Sequence, residues 1–302
     1  LREGSQAASG GWSVIRIDGE GNVIWEKIFP NLFNTWRIAG SIENGYAVSG
    51  LVQNATTRYW DVYVLKFDDD GDEVWSRTYA CVDIIRVRDI VETGDGGYLV
   101  AGIVEHGSSM NQYVYLLRVG SEGEKVWENV WDRVWFDRAT AHSVVQSGDG
   151  GFVIAGVRSD DAYICRIDGQ GNKIWEKTYG TNRSENIKRI IRTHDGGFVL
   201  IGSSDGYTEG GYDIYLLKVD GDGDKVWERT YGGEGSESGA AVVEVSPDCY
   251  LIAGTAESLD DRYSVYLVKT CLGMPVPLAG SPSVAFLVVS VLAVLPIASK
   301  RA

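Results

Sequence analysis

The stretch DGDGDKVWERTYGG, residues 220–233, places three aspartates on alternate positions directly before a β-like run that contains a tryptophan. Such a sequence could begin a calcium loop, because a hard cation needs several oxygens from a short segment, or it could form an acidic hairpin turn. Lys225 stands where an EF-hand loop has its glycine, and KVWERTY follows in place of a helix. Other copies of the stretch distinguish the two structures.

The tryptophan recurs in five similar runs, GNVIWEKIF, GDEVWSRTY, EKVWENVW, NKIWEKTYG and DKVWERTYG, at intervals of about 50 residues. A period of this length over five copies indicates an array of one supersecondary unit. The turns before these runs all contain a glycine followed by Asp, Asn or Glu, which suits a short hairpin that needs φ > 0. We therefore interpret the stretch as a hairpin turn. Calcium stays open as an alternative ligand of Asp220, Asp222 and Asp224, and less so of Asp68, Asp70 and Asp72.

The composition indicates a turn-rich β protein. Of 302 residues, 44% are hydrophobic, and 38 glycines accompany 6 prolines. The net charge of −14 argues against a nucleic-acid partner, which selects for basic surfaces. Four cysteines without C-x-x-C spacing and three histidines argue against a zinc site, so we expect no cofactor, with calcium as the one alternative.

Each repeat contains four short β-like runs, which we name strands A, B, C and D in chain order. In the clearest copy these are SVVQS, FVIAGV, AYICRID and KIWEKTY, between residues 143 and 179. Runs rich in Val, Ile, Tyr and Trp that are separated by Asp-Gly and Gly-Gly are typical of consecutive antiparallel hairpins. Because each four-stranded sheet must bury both faces, the repeat predicts an all-β protein: a β-propeller over residues 12–270, after an irregular segment 1–11.

Counting the strands predicts about five four-stranded blades. Strands A, B and D occur five times each, and strand C occurs six times. The first C and D runs precede any A, and the last A, B and C runs lack a D. We expect the ring to close by mixing the two ends, with NVIWEKIF (22–29) completing the last blade, which leaves one strand C surplus.

Strand C carries a basic residue near its end in every copy. The hairpin turn places this residue opposite the tryptophan of strand D, so we predict that its stem packs on the ring and that its head makes a cation–π contact. The tryptophan ring itself is predicted to pack between blades, since every unit needs that contact. The basic residues are Arg16, Lys66, Arg118, Arg166, Lys218 and Lys269.

The pattern L-K-V-D-x-x-G-x-x-V-W-E is similar to the tryptophan-docking motif of quinoprotein-like propellers. With T-Y-G-G before strand A and D-G-G-[FY] between A and B, it resembles a repeat of prokaryotic surface propellers, across residues 12–270. The resemblance implies a fold and no particular activity. Quinoprotein dehydrogenases would be expected to have a disulfide between adjacent cysteines. Cys81, Cys165, Cys249 and Cys271 are far apart in sequence, so the redox chemistry is not implied.

The last thirty residues predict a membrane anchor. No charge occurs between Lys269 and Lys300, and SVAFLVVSVLAVLPIA is almost wholly apolar. We expect a linker at 271–282, a transmembrane helix at 283–299 and a cytoplasmic tail at 300–302, which puts the propeller on the outer cell surface. The alternative is a buried strand or helix. LREGSQAASGG has no apolar signal region, so we expect the sequence to be mature or truncated at its N-terminus.

Chain direction divides the connections between two edges of the sheets. The B–C and D–A loops share one edge, which we call the top edge; the short A–B and C–D turns share the bottom edge. Strand A carries a basic column near the top edge that could attract an anion such as an acidic sugar, and aromatic residues nearby could stack on sugars. The alternatives are a solvated rim and aromatics that seal the loops. The ligand-binding candidates are Arg37, Arg88, Asp89, His142, Lys188, Arg189, Trp36 and Trp135.

These features predict a membrane-anchored surface propeller that binds a glycan or a protein without catalysis. The first alternative is an extracellular glycan-processing enzyme, which needs two carboxylates on one pocket, such as Asp89 with Asp137 or Glu185. The second alternative is a structural scaffold. No G-x-S-x-G nucleophile motif is present.

Cysteines and sequons add two expectations about the outer surface. Cys249 in an A–B turn and Cys271 after strand C of the same unit both belong to the bottom edge, so we expect them to form a disulfide. Cys165 is expected to be a buried thiol. Asn54 and Asn182 begin Asn-x-Ser/Thr triplets in top-edge loops, where we expect glycosylation, while the bottom edge faces the membrane.

Overall fold

A computed structural model describes residues 12–29, 33–40, 45–57, 59–81, 83–106, 111–131, 139–180, 183–206, 211–233, 235–257 and 263–271. The regular elements in these ranges are 21 β-strands, with no helix among them. All the strand pairs in these ranges are antiparallel. The all-β class expected from the sequence is therefore confirmed.

The strands form six sheets, each ordered as in the chain. The first hairpin contains β1 (Trp12–Ile17) and β2 (Val23–Phe29). Sheet I contains β3 (Phe33–Gly40), β4 (Tyr46–Gln53), β5 (Trp60–Phe67) and β6 (Glu73–Tyr79). Sheet II contains β7 (Ile84–Glu92), β8 (Tyr98–His106), β9 (Asn111–Val119) and β10 (Lys125–Trp131). Sheet III contains β11 (Ala139–Gln146), β12 (Phe152–Arg158), β13 (Asp161–Ile167) and β14 (Lys173–Tyr179).

The two remaining sheets follow the same order. Sheet IV contains β15 (Glu185–Arg192), β16 (Phe198–Ser204), β17 (Asp213–Val219) and β18 (Lys225–Tyr231). The last sheet contains β19 (Ser236–Ser246), β20 (Cys249–Glu257) and β21 (Tyr263–Cys271). The repeat thus consists of four strands, as in the blade of a propeller, and it is complete in sheets I to IV.

The C–D turns explain why the short motif recurs. In the turn of sheet III, Asp168 Oδ1 accepts the backbone N–H groups of Gln170 (2.9 Å) and Asn172 (2.8 Å). Gly171 of the same turn has φ = 82°, a conformation that favours glycine. The glycine with φ > 0 recurs in all five C–D turns, and the aspartate that satisfies the turn amides recurs in four of them, since Gly120 takes its place in sheet II.

Neighbouring sheets pack face to face, with the A strands innermost: β7 packs beside β3 and β11, and β15 beside β11 and β19. Between sheets III and IV, Val153 and Ile164 pack against Leu200 and Leu217, and all four side chains are fully buried. Burying a side chain of this size contributes about 1.5–3 kcal/mol. Each sheet therefore depends on its neighbours for a core.

The tryptophans of strand D link successive sheets, as predicted. The ring of Trp75 meets Tyr98 of sheet II edge-on, with centroids 6.1 Å apart. Its Nε1 donates to the carbonyl of Ser121 in the C–D turn of sheet II (2.7 Å). Trp127 makes the same bond to Gly169 of sheet III (3.1 Å). The predicted packing of the rings between blades is confirmed.

The cation–π expectation for strand C is wrong for the four residues whose head groups pair with a carboxylate, which are Arg16, Arg118, Arg166 and Lys218. Lys218 does lie opposite Trp227 in the register of β17 and β18. Its Nζ, however, lies 2.6 Å from Asp195 Oδ1 of the A–B turn, and Arg166 reaches Asp149 in the same way (2.7 Å). A carboxylate within hydrogen-bonding distance outcompetes the ring, because a charge-assisted hydrogen bond is stronger than a cation–π contact.

The expected ring closure is also wrong. The strand β2 pairs with β1 and not with β21. Trp25 of β2 packs edge-on against Phe67 of sheet I, with centroids 5.8 Å apart, so the hairpin occupies the position that precedes sheet I. The described chain accordingly has four complete four-stranded sheets, not five, flanked by a two-stranded and a three-stranded sheet.

The C-terminal segments predicted as linker, anchor and tail lie outside the described residues, except Cys271, which ends β21. Within the described ranges, no helix is long and apolar enough to cross a membrane. Cys271 lies opposite Cys249 in the register of β20 and β21, with Cα atoms 4.0 Å apart, and their sulfur atoms are bonded. Cys165 is a buried free thiol.

Candidate functional site

The predicted basic column coincides with a β-bulge that recurs in the innermost strands. The register shifts at Arg88 in β7, at His142 in β11 and at Lys188 in β15, where one extra residue stands opposite the partner strand. In β19 the shift falls at Ala240, as the sequence column anticipated. A bulge re-aims a side chain, and bulges are frequent beside binding sites.

Two of the bulged side chains reach the next sheet. His142 Nδ1 lies 2.6 Å from the carbonyl oxygen of Ile187, so this nitrogen carries the proton. Burial lowers the pKa of His142 below its usual 6.5, which keeps the ring neutral at neutral pH. Lys188 Nζ donates to Ser238 Oγ (2.6 Å), and burial lowers the pKa of this ammonium also.

The carboxylate of Asp89 in sheet II contacts residues of sheets I and III and is not accessible to a ligand. It is only 6% exposed, and its Oδ2 accepts from Ser143 Oγ (2.6 Å) and from the N–H of Val144 (3.0 Å). Arg37 Nε lies 3.7 Å from its Oδ1. Burial raises the pKa of Asp89, against the hydrogen bonds and the charges of Arg37 and Arg189, which lower it. The geometry gives Asp89, Arg37 and Arg189 a structural connection rather than a ligand site.

The remaining predicted candidates are not brought together. Arg88 is half-buried, and burial followed by the charge of Arg86 lowers its pKa. Trp36 belongs to β3, but its side chain lies outside the described residues, as does all of Trp135. Trp131 packs against the core between sheets II and III, so this aromatic seals its loop.

A polar cavity of about 290 Å³ opens at the top edge between sheet IV and the last sheet; we call it the top cleft. The A and C strands begin at this edge, and the B strands end there. Residues at these strand ends therefore form the walls of the cleft. Its lining residues are Ser184, Asn186, Lys188, Ser203, Tyr212, Ser236, Glu237, Ser238, Thr255 and Glu257.

The top cleft combines many hydroxyl groups with a few charged ones and one exposed ring. Tyr212 is 42% exposed and directly precedes β17. Glu237 is nearly buried, and its Oε2 accepts the N–H of Gly233 (3.0 Å), which fixes the carboxylate. Such a lining can donate and accept hydrogen bonds at fixed positions beside an aromatic face.

Sequence reasoning found only Lys188 among the residues of the top cleft. It missed Tyr212, which ends a B–C loop, and Ser236 and Ser238, which begin β19 directly after a D–A loop. The available signal was the D–A loop GGEGSES, whose serines and glutamates differ from the equivalent loops of other copies. Two variable loops meet only after neighbouring sheets pack, so a single loop could not reveal the cavity.

A second cavity, of about 590 Å³, lies between sheets I and II and is lined in part by Cys81, Tyr115 and Glu128. Burial raises the pKa of Cys81 to about 11, so its thiol is protonated at neutral pH. Tyr115 donates to Glu128 (2.9 Å), and Tyr163 does the same to Glu176 in sheet III (2.8 Å). The pair therefore belongs to the repeat and does not mark a site.

Two of the three aspartates of the opening stretch, Asp220 and Asp224, bind protein groups. Asp220 Oδ1 accepts the N–H groups of Asp222 (3.0 Å) and Asp224 (2.8 Å), as Asp168 does in a turn without the D-x-D-x-D spacing. Asp224 Oδ1 accepts from Lys177 Nζ (2.7 Å). The turn is complete with these bonds, and calcium stays a prediction of the sequence.

Of the two predicted glycosylation sites, the structure describes Asn54. Asn54 follows β4 at the top edge, where its Nδ2 donates to Asp61 (2.8 Å) and its Oδ1 accepts the N–H of Thr56 (3.0 Å). A glycan would replace one hydrogen of this nitrogen and leave one N–H for the bond to Asp61. Asn182 lies outside the described residues.

No family model matches the chain. No curated protein matches it. Among solved structures, a protein from Lactobacillus plantarum is 12% identical, with a TM-score of 0.48 over 80% of this chain and 72% of that one. A putative exo-β-1,3-galactanase from Bifidobacterium bifidum s17 is also 12% identical, with a TM-score of 0.42 over 87% and 94%.

A eukaryotic initiation factor is 15% identical, with a TM-score of 0.40 over 84% of this chain, which spans 57% of the length of that protein. At this level of similarity none of these structures assigns an activity.

Proposed function

We propose that the protein is a non-catalytic binding module that takes a glycan in the top cleft. The observation that carries this proposal is the lining of the cleft, where serine, threonine and asparagine side chains surround Lys188 beside the exposed ring of Tyr212. Sugars present hydroxyl groups that both donate and accept, on a ring whose C–H face packs against aromatic residues. Lys188, Glu237 and Glu257 add charged partners for sugar hydroxyl groups.

The test is a glycan-array screen of the full chain, followed by titration of each hit. Tyr212→Ala and Lys188→Met should each weaken binding by at least about tenfold, since each removes a contact of about 1.4 kcal/mol or more. Tyr59→Ala is the matched control, because Tyr59 is 55% exposed in the equivalent loop before β5. Equal affinity in all three variants would exclude the top cleft as the site.

A glycan-processing enzyme is the second candidate, because Glu237 and Glu257 line the same cavity. Paired carboxylates on one pocket are what glycoside hydrolysis requires. In this case the wild-type chain should release sugar from a ligand identified on the array, and Glu257→Gln should abolish release while leaving binding intact. Binding without any release would favour the non-catalytic module.

We propose further that residues 283–299 anchor the module in a membrane, with residues 300–302 inside the cell and the propeller outside. The support is the uncharged apolar run followed directly by Lys300 and Arg301. The resemblance of the repeat to those of quinoprotein-like surface propellers also supports a location on the outer cell surface. Because β21 runs from the top edge to the bottom edge, the chain leaves from the bottom and the top cleft faces outward.

A further inference from the structure

Asp213 is a buried carboxylate that receives no hydrogen bond. It begins β17 at the top edge and is 1% exposed. Neither of its two oxygen atoms has a hydrogen-bond partner in the part of the chain that the structure describes. Burying a carboxylate is strongly unfavourable unless donors or a positive charge compensate it, so an oxygen pair of this kind points to a bound group.

A second carboxylate lies beside Asp213. Oδ1 of Asp213 and Oε2 of Glu237 face one point, the position that a Cβ on Gly232 would take, at 1.8 Å and 2.5 Å from it. Glu237 belongs to β19 of the last sheet and is 6% exposed. Burial chiefly raises the pKa of Tyr266, and the negative charges of Glu237 and Asp213 raise it further. Two acidic groups therefore meet between sheet IV and the last sheet.

The equivalent aspartate of sheet I shows which donors this position can have. Asp61 and Asp213 both stand two residues before the tyrosine that lies opposite the threonine of strand D. Asp61 Oδ2 accepts from Asn54 Nδ2 (2.8 Å), and its Oδ1 accepts the N–H of Cys81 (3.1 Å). In sheet I, two donors thus compensate a single carboxylate.

Both of these donors are lost at Asp213. In the register of strands B and C, Gly206 stands where sheet I has its asparagine, and it has no side chain to donate. The N–H of Gly233, at the position of the cysteine, donates to Glu237 instead (3.0 Å). Sheet IV has therefore replaced two hydrogen-bond donors by a second negative group.

The glycine of the TYGG run changes together with that second group. Glu237 and Ile85 occupy equivalent places, each three residues before the bulge of strand A. Gly232 and Ala80 are likewise equivalent, each directly after the tyrosine of strand D. The alanine is compatible with one carboxylate, whereas the pair of carboxylates takes the space that a Cβ would need.

A related pair between sheets III and IV is compensated by other groups. A Cβ on Gly180 would lie 2.3 Å from Asp161 Oδ1 and 2.6 Å from Glu185 Oε2. Here Asp161 is half-buried and so is open to water, and Glu185 Oε1 accepts from Ser204 Oγ (2.9 Å). Ala256 replaces this serine in the last sheet. The pair between sheet IV and the last sheet has neither the serine nor that exposure.

We propose that the protein binds a calcium ion between sheet IV and the last sheet, with the carboxylates of Asp213 and Glu237 as its acidic ligands. Two negative charges match a divalent cation, and ligands that are all oxygen suit a hard ion. Calcium fits better than magnesium, because magnesium gives up its water reluctantly and both carboxylates are buried. Water that enters from the top cleft, which Glu237 also lines, completes the coordination shell.

The first test is a calcium titration of the full chain after treatment with a chelator and without any glycan. Calcium should bind saturably in calorimetry and raise the melting temperature by linkage. Magnesium should bind at least about tenfold more weakly, and equal or tighter binding of magnesium would overturn the choice of calcium. If the wild-type chain does not respond to calcium, the two carboxylates share a proton instead and the proposal fails, whether or not the top cleft binds a glycan.

Variants distinguish this site from the acidic turn at the bottom edge. Asp213→Asn and Glu237→Gln should each weaken calcium binding at least about tenfold, because each removes one of the two charges. Asp222→Asn is the control, since Asp222 lies in the C–D turn of sheet IV, and it should bind calcium as the wild type does. A loss in Asp222→Asn while Asp213→Asn binds normally would place the ion in that turn and contradict the proposal.

Thermal melting distinguishes a ligand of the ion from a merely structural carboxylate. Without calcium, Asp213→Asn should melt at a higher temperature than the wild type, because one of two facing negative charges is gone. With saturating calcium, the wild type should melt at the higher temperature. The same difference in melting temperature with and without calcium would give Asp213 a structural role only and refute the proposal.

The two glycines of the TYGG run offer a pair of variants that keeps every carboxylate. Gly232→Ala places a Cβ against Asp213 Oδ1 and should abolish the response to calcium, because the two carboxylates must move apart. Gly233→Ala is the matched control, since a Cβ there would meet no heavy atom within 4 Å and the N–H that binds Glu237 is kept. Equal calcium affinity in the two variants would rule out an ion at this place.

Discussion

Single residues at the bottom edge show how the repeat tolerates charge inside a β-sheet. Lys218 is 2% exposed, and its ammonium is held by Asp195 (2.6 Å) and by Thr193. Asp195 itself is 60% exposed, so water screens part of the pair. The buried ammonium of Lys218 therefore needs the carboxylate as a partner, whereas the exposed carboxylate of Asp195 can also be solvated by water.

Asp195→Asn should lower the free energy of unfolding by about 1–2 kcal/mol, because it leaves a buried ammonium with weaker partners. Urea unfolding at pH 7 measures this change. Asp224→Asn, which removes the partner of the more exposed Lys177, should cost less than about 0.5 kcal/mol. Equal losses in the two variants would show that burial of the lysine does not matter.

The same carboxylates predict acid sensitivity. The hydrogen bond from Ser147 chiefly lowers the pKa of Asp149 to about 2, against burial and with help from Arg166. For Asp195, burial acts to raise the pKa, but the bonds from Lys218 and Thr193 outweigh it and lower it to about 2. A lowered pKa in the folded state stabilises the fold above the usual value of 3.8, and this stabilisation is lost as pH falls from there towards 2.

Stability measured by urea unfolding should therefore stay level from neutral pH to about pH 5 and fall between about pH 4 and 2. In Asp149→Asn the fall should be shallower, because one of the responsible groups is gone. An identical pH profile for the variant and the wild type would contradict this prediction. It would mean that Asp149 has the same pKa in the folded and the unfolded chain.

At the scale of elements, strand D carries the contact between sheets. Trp75 is 6% exposed and joins sheets I and II through its ring and its N–H. Trp75→Ala should lower the free energy of unfolding by about 3–5 kcal/mol, and Trp75→Phe by only about 1 kcal/mol, since phenylalanine keeps most of the packing and loses the hydrogen bond. Chemical denaturation measures the free energy of unfolding of both variants and so separates the packing of the ring from its hydrogen bond. An equal loss of stability in the two variants would assign the whole effect to the hydrogen bond.

The disulfide of the last sheet stands at the end of β20 and β21 near which sheets II, III and IV have an ion pair. Cys249 and Cys271 are 22 residues apart, and closing a loop of this length contributes about 3 kcal/mol. Mass spectrometry of the unreduced protein should find neither cysteine alkylated. Finding both alkylated without reduction would contradict the bond, and Cys165 serves as the buried free-thiol reference.

Features that lie within one repeat could be predicted from the sequence, whereas features formed by two sheets could not. The turn aspartate, its glycine and the tryptophan act within one hairpin or between adjacent copies, so their spacing predicted the sheets and the contacts between them. The bulges at His142 and Lys188 were visible only as a basic column, because a bulge leaves no mark in side-chain alternation over so short a strand. The top cleft depends on two loops from different sheets and was missed except for Lys188.

For the whole molecule, strand direction sets which surface faces outward. Asn54 at the top edge and Cys271 at the bottom edge lie at opposite ends of the sheets. If the chain is expressed in a host that glycosylates asparagine, glycans should map to both Asn54 and Asn182 and remain accessible to a lectin on whole cells. Finding them shielded next to the membrane would reverse the orientation and remove the top cleft from the outer surface.

The bond between Cys249 and Cys271 also determines how the molecule bears a mechanical load. Any tension on the chain beyond β21 enters the fold at Cys271, and an edge strand pulled sideways from one end would unzip one hydrogen bond at a time. The covalent link stands at that same end and passes the force into β20, so the sheet is loaded in shear across many bonds at once. Oxidised protein should consequently withstand a higher rupture force than reduced protein when it is pulled between the top edge and its C-terminus.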